Sequence, residues 1–348
     1  MKTKGFIFIL LTVALGMTMP TAAQSQNQPF PLYDTITISF IGDIMQHLPQ
    51  IAAAKAAAAR TKATSQHDYT NTFKYIEDRI AQANYMVANM ELTIGTPPYT
   101  GYPQFSSPPE IAQQAQKVGI DLFMMANNHI ADKGKKGLER TLALYNQLGV
   151  QRVGVYENAE DEERNNPLIV EIKGVKFAFF NFTYDTNGLP VPAPYVVCQE
   201  DTAHIKEIVQ RAKAAGADFI IALPHWGLEY HLQPSEAQKK LAEYMLNLGV
   251  NAIVGSHPHV TQPASVSSNS NAATAIFYSL GNYVSNQSRP SQTQTGMFVS
   301  LRFVRNSLTR RTEMIAPEWF YTRCYRPGDT LPDGTRSDDY IVMPVQGQ

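Results

Sequence analysis

The chain reads as an α/β protein: a largely parallel sheet flanked by helices, with a second, partly antiparallel sheet beside it. Three observations predict this. Short apolar runs alternate with helix-patterned segments along most of the sequence. Several of those segments close on glycine, in "KVGI", "QLGV", "AAGAD" and "NLGV". Further apolar runs, at 168–184, 275–284 and 296–304, have no helix between their strands.

At the N-terminus, "MKTKGFIFILLTVALGMTMPTAA" places two lysines before an apolar stretch from Phe6 to Met17, then small residues up to Ala23. This is the pattern of a Sec signal peptide cleaved near Ala23, over residues 1–23. The apolar stretch is short for a membrane span, and no cysteine stands near the cleavage region to carry a lipid. An exported protein, periplasmic or extracellular, is expected. Strands are predicted at 35–43, 84–91, 121–128, 217–225 and 251–257, and helices at 71–82, 109–118, 135–148, 201–215 and 234–248. "LIVEIKGVKFAFFNFTY" (168–184) reads as a hairpin with Lys-Gly at its turn. The Ala-rich stretch 51–66 reads as a solvated helix beside the first strand end, with lid or substrate-contact duty as the alternative, and "SVSSNSNAAT" (265–274) as a loop at a hairpin tip. No repeat or linker divides the chain, so one domain is expected over 33–325, followed by a C-terminal extension at 326–348.

With 44% hydrophobic and 17% charged residues among 348, the chain can bury a sizeable core. Net charge is −1, and loss of Lys2 and Lys4 from the 29 basic residues leaves 27 against 30 acidic, or −3. Bulk electrostatics therefore favour no nucleic-acid partner. Cys198 and Cys324 allow one disulfide or two free thiols, and neither has zinc-motif spacing. The serines and His204 form no pattern of a nucleophile with its base.

Function is signalled by where the polar residues fall. In α/β sheets the ligand crevice lies beyond the carboxyl ends of the strands. Five predicted strands deliver Asp43, Glu91, Asn128 with His129, His225, and His257 with His259 at that end. Each alone has an ordinary structural reading as a cap, an edge charge or a satisfied histidine. Asp43, Glu91, the Asn128 amide and the imidazoles of His225, His257 and His259, converging from five strand ends, make a metal-ligand set. A pair of divalent ions, Mn, Fe or Zn, suits it better than one, with one carboxylate facing both. If "SHPH" is extended, His257 and His259 point to the same side and reach neighbouring ions, with Pro258 stiffening the turn.

Six ordered motifs, "FIGDIMQH", "ANMELTIG", "MANNHIADKGKKGLERTL", "LPHWGLEY", "NLGVNAIVGSHPHVTQP" and "FYSLGN", give the chain a resemblance to the CapA family over about residues 35–320. That family is named for poly-γ-glutamate capsule synthesis and is similar to the calcineurin-like metallophosphoesterase superfamily. The resemblance implies a four-layer αββα sandwich of two mixed β-sheets with a dinuclear centre at the strand ends. It implies that Asp43 binds the first ion, that Glu91 bridges both, and that Asn128 binds the second. His225 and His257 would complete the second site and His259 the first, with His129 the proton donor to the leaving group. Two departures stand out: Asp43 is followed by Ile44, Met45 and Gln46 before His47, where the superfamily has Asp-x-His, and Glu91 replaces the aspartate of the usual Gly-Asp motif.

His47 is accordingly expected as a displaced ligand or substrate contact, Glu229 as a group orienting a histidine, and Asn282 as a substrate-side hydrogen bond or turn residue. Trp226 is expected to pack, and Asp132 to cap the helix near Gly134 rather than touch substrate. Gln262 and Arg289 are weaker substrate-side candidates. Two functions follow. One is an exported metal-dependent hydrolase, phosphoesterase-like at a dinuclear centre, acting on a phosphoester or else on an amide or peptide of an envelope polymer, in capsule or cell-envelope polymer metabolism. The other is a non-catalytic protein that binds a polyanionic polymer such as poly-γ-glutamate and assists capsule assembly or export within a membrane complex.

Overall fold

The computed structural model describes residues 33–269 and 272–345, so the expected signal peptide at 1–23 lies outside the described residues. The chain opens with β1 (Tyr33–Ile44), α1 (Leu48–Thr61), α2 (Thr70–Phe73), α3 (Glu77–Ile80), β2 (Tyr85–Met90), α4 (Glu110–Lys117), β3 (Leu122–Met124), α5 (Gly134–Leu148) and β4 (Gln151–Val153). Next come β5 (Val155–Tyr156), α6 (Ala159–Asn165), β6 (Leu168–Ile172), β7 (Val175–Thr183), β8 (Val196–Val197), α7 (Thr202–Ala214), β9 (Phe219–His225), α8 (Glu236–Leu248) and β10 (Ala252–Val254). The last strands are β11 (Ala264–Asn269), β12 (Ala272–Phe277), β13 (Asn282–Val284), β14 (Thr295–Asn306), β15 (Thr312–Tyr325) and β16 (Ile341–Pro344).

Side-chain alternation explains how these elements layer. Ile36, Ile38 and Phe40 of β1 and Phe177 and Phe179 of β7 enter one apolar layer between two sheets. The opposite residues face helices: Ile41 and Ile44 pack with residues of α1 to α5, and Ala178, Phe180 and Phe182 with residues of α7 and α8. Strands buried on both faces read as near-continuous apolar runs, and burying each such phenylalanine contributes about 1.5–3 kcal/mol. The outcome is the expected αββα sandwich. The first sheet has the order β16-β15-β14-β1-β2-β3-β4, with β13 also on β1, and the second β11-β12-β10-β9-β7-β6. Both are mixed: β1 to β4 run parallel while β14 to β16 alternate, and β7, β9, β10 and β12 run parallel between antiparallel β6 and β11.

The Lys-Gly hairpin forms as expected, with Lys173 and Gly174 both at positive φ (50° and 74°), the pairing a two-residue turn needs. Other segments differ from expectation. The helix expected at 71–82 is two short turns, α2 and α3, since Thr70, Asn71 and Thr72 are weak helix formers. α1 is not simply solvated: Ile51, Ala53, Ala54, Ala57 and Ala58 are buried, alanine letting the helix lie close to the sheet. The loop expected at 265–274 is mostly the paired strands β11 and β12, because a Ser-rich segment at a sheet edge can satisfy its backbone by pairing. The run 275–284 splits, its two halves joining different sheets around Gly281 at φ 67°. Beyond 325 the chain supplies the edge strand β16. Cys198 and Cys324 are buried free thiols in different helix–sheet layers.

Candidate metal centre

The parallel strands of both sheets end on one rim. Asp43 lies at the end of β1, Glu91 follows β2, Asn128 and His129 follow β3, His225 ends β9, and His257 and His259 follow β10. Asn181 ties the sheets together there: its Oδ1 accepts from the backbone N–H of Met125 (3.1 Å) and Ala126 (2.7 Å), and its Nδ2 donates to the Leu223 carbonyl (2.6 Å). All seven site residues are buried, with Asp43, Glu91, His225 and His259 fully inaccessible.

Hydrogen bonds set the imidazole tautomers. His259 Nδ1 lies 3.1 Å from Asp43 Oδ2 and 3.1 Å from Asn282 Oδ1, both acceptors, so Nδ1 carries the proton and Nε2 keeps its lone pair. That Nε2 faces Glu91 Oε1 at 3.6 Å. His225 Nε2 lies 2.9 Å from Asn128 Oδ1 and so carries a proton, while its Nδ1 accepts from Ser256 Oγ (2.9 Å) and Asn89 Nδ2 (3.3 Å). His129 Nδ1 donates to Asp132 Oδ2 at 2.9 Å, with its ring edge-on to Phe105 at 4.6 Å. Thr93 Oγ1 donates to the His129 carbonyl (2.6 Å), and Asn127 Oδ1 accepts its backbone N–H (3.1 Å).

Burial, and secondarily the neighbouring imidazoles, hold His225 and His257 well below the ordinary histidine range. They are neutral, the form that ligates a metal. Burial, with Asp43 as the next cause, pushes the Glu91 carboxyl well above its usual range. Glu91, His257 and His259 bring one ligand atom each within 4.8 Å of one another, as do Asp43, Glu91 and His225. Glu91 Oε1, His257 Nδ1 and His259 Nε2 are buried with no hydrogen-bond partner. Buried polar atoms without partners are rare and costly, and these three are of the types a divalent cation binds. The residues therefore fit a metal ion.

The mouth of the site has aromatic and acidic walls. The Tyr184 ring is 4.4 Å from that of His257 and the Tyr230 ring 6.0 Å from that of His259. Glu229 Oε1 comes within 4.0 Å of His259 Nε2. Outside this centre, Glu162, Cys198 and His204 also cluster, but Arg211 Nη2 already supplies a positive charge 3.2 Å from Glu162 Oε1 and 3.3 Å from His204 Nε2.

Several expectations are corrected. His257 and His259 do not sit on an extended segment: their φ angles are 98° and 59°, so the chain turns at both, and strand periodicity does not aim their rings. His47 belongs to neither metal-ligand grouping. It precedes α1, where Gln50 Oε1 accepts its backbone N–H (2.8 Å) and lies 3.1 Å from its Nδ1, and burial lowers its pKa to about 4. Asp132 does not cap α5, whose N-cap is Lys133; it holds His129 and accepts the Phe105 N–H (2.6 Å). Asn282 is buried with its Oδ1 3.1 Å from His259 Nδ1, and Gln262 is tied to Gln238 and the His231 carbonyl. Trp226 packs as expected, its Nε1 donating to the Tyr278 carbonyl. Asn89, Asn127, Thr93 and Ser256 are site residues that sequence reading missed. Asn89, near the end of β2 and two positions before Glu91, was the findable one, since the run 84–91 was read as one strand.

A mixed αββα sandwich with carboxylates, amides and imidazoles gathered at the strand ends is a metallophosphoesterase-like fold. A putative 5′-nucleotidase from Staphylococcus aureus, solved with α-ketoglutarate, shares it at a TM-score of 0.50 and 14% identity, over 82% of this chain and 54% of that one. The calcineurin-like phosphoesterase YfkN from Bacillus subtilis is similar at a TM-score of 0.49 and 17% identity, over 83% and 91% of the two chains. The family model described as bacterial capsule synthesis protein PGA_cap matches residues 37–287, and the chain belongs to that family. The PGA biosynthesis protein CapA of Bacillus subtilis (strain 168) is 28% identical over 302 residues, 82% of this chain and 74% of the relative.

Proposed function

We propose that this chain is an exported metal-dependent hydrolase of phosphoester type, working in capsule or cell-envelope polymer metabolism. The observation that carries the reading is the set of buried, partnerless ligand atoms on Glu91, His257 and His259, beside an imidazole held by its own carboxylate. Those three residues would hold a divalent ion, with His225, Asn128 and Asp43 around them. Mn, Fe and Zn all suit the mixed nitrogen and oxygen donors. When bound, such an ion supplies Lewis-acid polarisation of a substrate oxygen and an acidified water.

The chain's own residues supply the rest. Asp132 fixes the His129 ring through Nδ1, which makes Nε2 the atom that passes a proton to a leaving group. Thr93 and Asn127 hold the His129 backbone so that the ring cannot drift from the rim. Tyr184, Tyr230 and Glu229 would flank the incoming substrate. The relative's name, a PGA biosynthesis protein, supports polymer biosynthesis as the setting; a capsule-synthesis membrane complex as the partner is part of the same proposal. The same name favours a second reading, a non-catalytic poly-γ-glutamate-binding protein.

The test is hydrolysis of phosphomonoester and phosphodiester reporters by the purified protein loaded with Mn or Zn. His129→Ala should lower turnover by roughly 10²- to 10⁴-fold with bound metal unchanged. Absence of turnover by the metal-loaded wild type would overturn the hydrolase reading. Saturable binding of poly-γ-glutamate would then support the second.

A further inference from the structure

Two three-residue groupings meet at Glu91: Glu91 with His257 and His259, and Asp43 with Glu91 and His225. A two-ion centre needs both open. Only the first is. Asn89 pairs in register with Asp43 across β1 and β2 and turns its side-chain amide into the second grouping. Its Nδ2 lies 2.8 Å from Asp43 Oδ1, 3.4 Å from Glu91 Oε2 and 3.3 Å from His225 Nδ1. A cation bound there would need its ligand atoms at about 2.0–2.2 Å, so it and the amide nitrogen exclude each other. The NH₂ group offers its protons to the lone pairs a cation would take.

The surrounding bonds agree. Both oxygens of Asp43 are engaged, Oδ1 by Asn89 and Oδ2 by the His259 Nδ1 proton. Both nitrogens of His225 are engaged, by Asn128 on one side and by Ser256 and Asn89 on the other. In the first grouping, by contrast, Glu91 Oε1, His257 Nδ1 and His259 Nε2 are buried and unpartnered. We infer that this centre takes one cation, on Glu91, His257 and His259, and that the Asn89 amide occupies the place of a second. Asp43 is then a positioning residue that fixes the His259 tautomer. Two imidazoles and one carboxylate leave coordination positions open to a substrate oxygen and a water.

The inference rests on the metal-dependent reading above, and the experiment separates the two. The protein, purified without chelator or affinity metal, is loaded with Mn, freed of weakly held ion by gel filtration, and measured by elemental analysis and electron paramagnetic resonance. One equivalent, lost in His257→Ala, with the six-line spectrum of an isolated Mn ion, is the expected result. Two equivalents, or an exchange-coupled spectrum, would overturn the single-ion assignment. No bound ion at all would overturn the metal reading beneath it. Asn89→Asp, which replaces the NH₂ by a carboxylate oxygen, should gain a second equivalent and a coupled spectrum. If that variant folds, by circular dichroism, and still holds one, Asn89 is not what fills the second place. The wild-type count decides the ion number even if the variant fails to fold.

Discussion

His259 is gripped through one nitrogen and bare at the other, the asymmetry on which its proposed role as a ligand rests. Asp43 and Asn282 take its Nδ1 proton, leaving Nε2 directed at Glu91. Glu91 carries the opposite burden, a buried carboxyl whose pKa is pushed up by burial and by Asp43. Its raised folded pKa means that the metal-free fold loses stability as pH rises from the ordinary carboxylate value toward the folded one. His225 and His257 are depressed, so they cost stability as pH falls below 6.5, where the unfolded chain takes up protons and the fold does not. Cation binding needs Glu91 ionised and the imidazoles neutral, so it displaces protons and tightens as pH rises. Calorimetry at pH 6 in two buffers of different ionisation heat should show net proton release, and the Tm gain from saturating Mn should be larger at pH 8 than at pH 5. Binding heats independent of buffer would contradict the role given to Glu91.

At the scale of elements, the site depends on how closely β1 approaches the chain that crosses from the second sheet to the first. A Cβ on Gly42 would fall 1.8 Å from the Gly281 carbonyl oxygen, beside the pairing of Asp43 with Asn282. Gly42→Ala must push two backbones apart, so it should destabilise the fold by about 1–3 kcal/mol and weaken metal retention, read from urea unfolding and elemental analysis. An unchanged midpoint would mean that the strands yield there without cost. The strands, the hairpin turn and most of the helices were legible because short apolar runs, helical patterns, Lys-Gly and C-terminal glycines act locally. The geometry of "SHPH" was not. Its residues suit an extended segment, yet His257 and His259 adopt positive φ, at a typical cost of about 1–3 kcal/mol for a non-glycine residue, where packing against the rim over-determines them.

Across the whole molecule, the two sheets share one apolar layer, and neither alone supplies all the residues of the candidate site. Asp43, Glu91, Asn128 and His129 come from the first sheet's strand ends and His225, His257 and His259 from the second's, with Asn181 clamping the two together. The thiols show the same layering from its outer faces: Cys198 packs beside α7 and α8, and Cys324 with the helices of the first sheet. Burial raises their pKa values to about 12 and about 11. A reductant should therefore leave Tm unchanged, and a thiol reagent should titrate both cysteines only after denaturation. A Tm drop on reduction would show that they are bridged.

From its sequence alone the protein reads as an α/β chain with a second, partly antiparallel sheet and a candidate metal-ligand set at its strand ends, because apolar runs, capping glycines and polar strand termini are short-range signals; the αββα layering was implied only by the resemblance to the CapA family. Which ligand atoms stay free was decided only by the tertiary structure. Lone pairs are consumed by partners distant in sequence, as Asp43 claims the His259 Nδ1 proton and Asn89 reaches His225, and no local pattern reports which acceptor a folded neighbour has already taken.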